Sequence, residues 1–272
     1  MTTLQRIIKY CAIAFAVFLS VSIIGGICGV FGMLSVFFGD DTVGEKKTYA
    51  IGNEIESLDI DISAADLSVV IGKNFSLESN HKYLSVKEEK GILKISEDKV
   101  LFGISHKGAS VVLTIPDGFT FDDVTISTGA GKADIDVISA NTMDLDFGAG
   151  VTRVGCLNVH TRTKVSSGAG KLVILNGEMN DLSVDMGVGE LELTGKLTGS
   201  STVDYGIGKA KLTLIGNIDD YRIELDKGVG GATLDGEAMS DEGVYGSGQN
   251  RISVDGGVGN LRIQFEDNIY AN

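Results

Sequence analysis

Proline is nearly missing from this 272-residue chain, with Pro116 the only one, and tryptophan is missing altogether. Proline alone lacks a backbone N–H, so its scarcity leaves long stretches free to enter sheet ladders. Histidine is scarce as well. His81, His106 and His160 are scattered, and none lies in a nucleophile or metal-ligand spacing, which leaves little material for acid–base chemistry. Of the three cysteines, Cys11 and Cys28 lie in an apolar run, so Cys156 has no intramolecular disulfide partner and the fold must stand on burial.

Positive charge is also short. Arg6 and Lys9 take two of the 23 basic residues, leaving 21 against 37 acids and a net charge of −16 beyond the apolar run. Such a surface is unfavourable to phosphate backbones and argues against nucleic-acid binding. It keeps a strand-rich protein soluble.

Glycine is plentiful, with 37, and it is ordered. A Gly-x-Gly triplet recurs at Gly129/Gly131, Gly148/Gly150, Gly168/Gly170, Gly187/Gly189, Gly206/Gly208, Gly228/Gly230 and Gly257/Gly259. The first five stand 19 or 20 residues apart, and the last two steps stretch to 22 and 29. A fixed period near 20 marks one unit stacked on copies of itself. Ile126, Leu145, Val165, Val184, Val203, Leu225 and Val254 form an apolar column before the triplet. Ile135, Val154, Ile174, Leu193, Leu212, Leu234 and Ile263 form another six residues after each first glycine. Polar residues alternate with both columns, the period-two pattern of strands with one buried face.

The expected fold is therefore all-β, a single-stranded parallel β-helix (β-solenoid) of about 20-residue repeats, each a strand, a glycine corner and a second strand. An antiparallel meander is the rival, but it would favour Asn-Gly or Asp-Gly loops rather than one corner always in the same phase. Leu58 to Leu67 reads as a degenerate first copy, with Ser63 and Ala65 where the glycines would stand. Tyr83 to Ile95 reads as a hairpin turning at Lys90-Gly91, and Ser110 to Ile115 as a strand stopped by Pro116. Residues 68–123 and 237–250 are read as insertions, the second a surface loop, in a domain spanning 51–268.

Tyr10 to Gly39 is a run of 30 residues without charge. About 20 apolar residues cross a bilayer, so residues 10–39 are read as one transmembrane helix, with 1–9 in the cytoplasm and 40–50 as a linker. Arg6 and Lys9 before the run place the following domain outside the cytoplasm. A cleaved signal peptide would have an apolar core of only about 7–15 residues and an Ala-x-Ala-like exit. Gly25 and Gly29 make a Gly-x-x-x-Gly that fits a close-packed helix homodimer; glycine's general frequency in membrane helices is the plainer reading.

One column invites chemistry. Asp146, Asp185, Asp204, Asp226 and Asp255 stand two residues before a first glycine, with Ser127 and Ser166 at the same position and Asp61 in the degenerate copy. Stacked in chain order, Asp185, Asp204 and Asp226 would be neighbours at one strand spacing. Two charges that close repel by about 0.9 kcal/mol in water and about 3.5 kcal/mol at an effective dielectric of 20. The column is read as capping the corner N–H groups. A calcium β-roll would need Asp two residues after the second glycine, where Ala133, Thr152, Leu172, Leu191, Ala210, Ala232 and Leu261 stand instead. Tyr205, Tyr221 and Tyr245 mark one place where sugar stacking could be sought. No residue is assigned as catalytic, cofactor-binding or metal-binding, and the chain is not read as an enzyme.

Val111 to Pro116 ahead of Thr125 to Gly131, the strand Leu58 to Ile62, the repeated Asp-x-Gly-x-Gly-x-Leu-x-Leu frame and the single N-terminal span together resemble the bacterial DUF4097 family, the putative adhesins also called toastrack domains. The resemblance covers roughly residues 50–265. It implies a β-helix displayed outside the cell membrane, at the cell surface or in envelope-stress systems. The expected function is a membrane-anchored adhesion or binding scaffold with a protein or other cell-envelope partner. The alternative is an envelope-stress or signalling accessory paired with another membrane protein.

Overall fold

The structure, a computed structural model, describes residues 43–52, 54–63, 65–97 and 108–267. The span read at residues 10–39, with Gly25 and Gly29, lies outside the described residues. Among the described residues no helix is long and apolar enough to cross a membrane.

The described chain is almost entirely strand, gathered into one sheet. The strands are β1 (Val43–Tyr49), β2 (Ser57–Ile62), β3 (Asp66–Gly72), β4 (Ser76–His81), β5 (Leu84–Glu89), β6 (Ile92–Glu97), β7 (Ser110–Pro116) and β8 (Phe121–Ile174). They continue as β9 (Glu178–Asn180), β10 (Leu182–Thr198), β11 (Ser200–Ile215), β12 (Tyr221–Asp226), β13 (Val229–Leu234), β14 (Glu237–Ala238), β15 (Glu242–Tyr245) and β16 (Asn250–Glu266). A single helical turn at Ile218–Asp220 is closed by Asn217, whose side chain accepts from Asp219 N–H.

The repeat sets the register. β10 lies parallel on β8 with Val184 opposite Val165, Gly189 opposite Gly170 and Leu193 opposite Ile174. β11 lies parallel on β10 with Val203 opposite Val184 and Gly208 opposite Gly189. Like therefore stacks on like. Both apolar columns point inward, and all their members are buried except Leu234, which packs half-buried against the core. The residues between the glycines face outward, and Val229 is 44% exposed.

The glycines do more than bend the chain. Each second glycine of a triplet has a φ between +136° and +158°, a region L-residues avoid. A Cβ on Gly189 would lie 1.8 Å from the Gly170 carbonyl oxygen of the coil beneath. On Gly148, whose φ is ordinary, it would lie 2.1 Å from Gly129 O. Corner and stacking both require the missing side chain.

The degenerate copy takes its expected place under the first glycine coil. β2 pairs with β8 through Ile60 and Ile126, and Ala130 N–H donates to Ser63 O at 2.7 Å. The Lys90-Gly91 hairpin also forms, with both residues at positive φ and β5 antiparallel to β6.

At both ends, the coils leave chain order. β6 stacks in parallel on β2 and β7 on β3, so these two strands of the 68–123 segment extend the stack rather than stand apart from it. At the other end β16, last in the chain, lies between β11 and the pair β12 and β13. The long final step is thus a leap outward and a return. Antiparallel strands close both ends. β4 covers β7 and β1 covers β4, while β15 covers β12 and β14 covers β13. Residues 43–49, read as linker, are therefore part of the domain, and the 237–250 segment is a strand-bearing cap.

Candidate functional site

The leap reorders the aspartate column. The ladder runs Asp185, Asp204, Asp255, Asp226, with Asp255 between the two residues expected to be adjacent. All four side chains are exposed, and solvation makes the ladder tolerable. The capping expected of the column appears at one corner, where Gly228 N–H donates to Asp226 Oδ1 at 3.2 Å. No other aspartate of the column makes that bond among the described residues. Burial, then Asp255 and Asp185, hold the Asp204 carboxyl above the usual carboxylate range. Among the described residues no three acidic, His or Cys side chains converge as a metal site.

The tyrosines do not form a sugar platform. Tyr205 is 4% exposed and Tyr221 1%, so neither ring face is open to a ligand. Tyr221 donates its hydroxyl to Ile215 O at 2.7 Å, and burial pushes its pKa up to about 12. Tyr245 accepts from Ser240 N–H at 2.8 Å within the cap. The Tyr205 ring lies over Gly256, whose Cβ would come within 2.4 Å of the hydroxyl oxygen. That hydroxyl is buried with no hydrogen-bond partner among the described residues.

The histidines are equally dispersed. His81 is buried, with Nδ1 accepting from Tyr83 N–H at 3.2 Å and Nε2 lying 3.3 Å from Glu97 Oε1. His160 is exposed, and His106 lies outside the described residues. Cys156 is half-buried, and burial pushes its thiol pKa up, away from reactivity.

An open groove runs across β10, β11, β16 and β13. Period two turns the third and fifth residues after each first glycine outward here. One row runs Lys171, Glu190, Lys209, Asn260, Gly231; the other runs Glu192, Lys211, Arg262, Thr233, with Val173 at its near end buried. Lys171 Nζ lies 3.3 Å from Glu190 Oε2 and 2.5 Å from Glu192 Oε1, and the Glu192 bond raises the Lys171 pKa most. Lys209, Lys211 and Arg262 are exposed, and none has a carboxylate within 4.0 Å among the described residues. Asn260 Oδ1 accepts from Gly231 N–H at 3.4 Å, leaving its NH2 to donate outward. Gly231 and Thr233 are small, so the groove opens beside Arg262.

Sequence reasoning missed this site. The outward positions were legible, but in chain order Lys211 would face Thr233. Only the insertion of β16 sets Arg262 against it.

No family model matches the chain, and no curated protein does. Among solved structures it is similar to a putative cell adhesion protein from Clostridium sporogenes, at 14% identity over 82% of this chain and 99% of that one, with a TM-score of 0.34. It is also similar to a putative adhesin from Bacteroides fragilis, at 13% identity over 83% and 100%, with a TM-score of 0.40. A putative adhesin from Parabacteroides distasonis is similar at 11% identity over 84% and 100%, with a TM-score of 0.33.

Proposed function

We propose that this chain is a toastrack-type (DUF4097) β-solenoid, held outside the cell membrane by a single span at residues 10–39, and that it works as an adhesion or binding scaffold. The observation that carries this reading is the division of labour in the repeat. Inward positions are the same apolar rows from coil to coil, while the outward rows of the charged groove change from coil to coil. A rigid core with a variable face suits recognition. Protease added to intact cells tests the topology: residues 43–272 should be digested without permeabilisation, and protection until permeabilisation would overturn it.

A second reading, an accessory to another membrane protein, is favoured by β1. It begins at Val43, immediately beyond the apolar run that ends at Gly39, and pairs at one end of the stack. That arrangement keeps this end near the bilayer. Photocrosslinking from Glu45, exposed on β1, should then recover a membrane protein; capture of soluble or cell-wall material alone would leave the scaffold reading in sole possession.

A further inference from the structure

We propose that the groove across β10, β11, β16 and β13 is a binding site for an anionic carbohydrate polymer, a chain of sugars bearing carboxylate or phosphate groups. This rests on the scaffold reading and names the ligand class for it.

The charge arrangement comes first. Lys211 and Arg262 stand directly opposite each other in the register, about 4.8 Å apart at the backbone. Like charges so placed destabilise a sheet, and an anion bridging them removes that repulsion. Lys209 lies two residues along the same strand from Lys211, on the same face, so the cations form a right-angled set rather than a line. Glu190 and Glu192, opposite Lys209 and Lys211 in the next coil, make their ion pairs with Lys171, so neither lies within 4.0 Å of these cations. At physiological salt, charges more than about 8 Å away are largely screened, so the local cations weigh more at the groove than the chain's net charge of −14.

The polar groups around these cations select among anions. The NH2 of Asn260 and the guanidinium of Arg262 donate, while the carboxylates of Glu190 and Glu192 accept. Sugar hydroxyls need both kinds of partner at close range. A nucleic acid is a poorer fit, because no aromatic side chain lines the groove to stack a base. An anionic lipid surface is a poorer fit too. Along the sheet the groove lies at the end away from β1, the strand nearest the proposed anchor.

The test uses the full chain in detergent, with polygalacturonate as the carboxylate probe and phosphomannan as the phosphate probe. Neutral dextran, a single-stranded oligonucleotide and anionic vesicles are the comparators. At least one anionic polysaccharide should bind, more weakly as salt rises, and dextran should not. Lys211→Gln with Arg262→Gln should weaken binding by about tenfold or more, since two charge-assisted contacts are lost. Lys132→Gln, removing an exposed cation outside the groove, should change it little, and equal melting temperatures would show that every variant folds. Which polysaccharide responds identifies the anion. Binding by neither polysaccharide, equal binding by the groove variant, or preference for oligonucleotide or vesicles would each overturn the proposal. Protease protection on intact cells would instead overturn the scaffold reading and leave these measurements standing.

Discussion

At the residue scale, the glycine corners, one tyrosine and one aspartate each imply a measurable consequence. Gly189→Ala puts a Cβ 1.8 Å from Gly170 O at a φ of +143°, and nothing nearby can yield because the obstacle is backbone. It should cost about 3 kcal/mol or more in urea unfolding, while Glu192→Ala, on an exposed ion pair, stays within about 0.5 kcal/mol. Equal small losses would mean the stack has slack at its corners. Tyr205→Phe should go the other way. It removes a buried hydroxyl without a partner and keeps the ring over Gly256, so stability should rise by about 1 kcal/mol. Asp204 adds a pH dependence. Its pKa is raised in the folded chain, so the folded state takes up the proton more readily than the unfolded one. Burial of that charge, and after it the repulsion from Asp255 and Asp185, therefore cost stability at neutral pH, and the cost fades as pH falls through the raised pKa. Asp204→Asn should raise the urea midpoint at neutral pH, with the gain shrinking in acid; a gain constant with pH would mean that the Asp204 charge is not what costs the stability.

At the scale of the elements, the two leaps decide how the chain can be cut. In a stack built in chain order, removing the last coil would leave a shorter intact stack. Here β16 pairs with β11 on one side and with β12 and β13 on the other. Ending the chain at residue 249 would unpair both. The truncated protein should lose the cooperative melt of its C-terminal coils, seen as an early transition by circular dichroism and rapid proteolysis beyond Ile215. A single unshifted transition would contradict the inserted position of β16. The same leaps mark how far the sequence could be read. The columns were legible because burial repeats every second residue and glycine every turn, and Ser63 and Ala65 kept that phase without glycine. Coil order was not legible, since a coil inserted one level lower presents the same apolar columns to its neighbours. The aspartate ladder and the groove were misread or missed for that reason: both depend on which coil lies next, not on which residues point outward. The His81–Glu97 pair escaped for a similar reason, as it joins strands separated by a hairpin.

At the scale of the whole molecule, a stack of parallel coils is open at both ends, and each open end is a template for another copy. The chain closes both with antiparallel strands of its own. β15 lies on β12 with Leu225 opposite Gly243 and Ile223 opposite Tyr245, anchored where Ser240 bonds the Tyr245 hydroxyl at 2.9 Å. Its Val244 is 54% exposed, so this short strand is held more by ladder bonds than by burial. Replacing both Gly243 and Val244 with proline removes two successive N–H groups, and alternation means that one of them faces β12. The cap should then detach and leave the β12 edge bare. Glu224 and Asp226 on that edge repel a second copy, so association should be weak at low salt and strengthen as salt screens them. Sedimentation of the variant in detergent should show larger, concentration-dependent species at high salt, with wild type unchanged at every concentration. A variant that stays at the wild-type size in high salt would mean that the cap is not what keeps the stack from growing end to end.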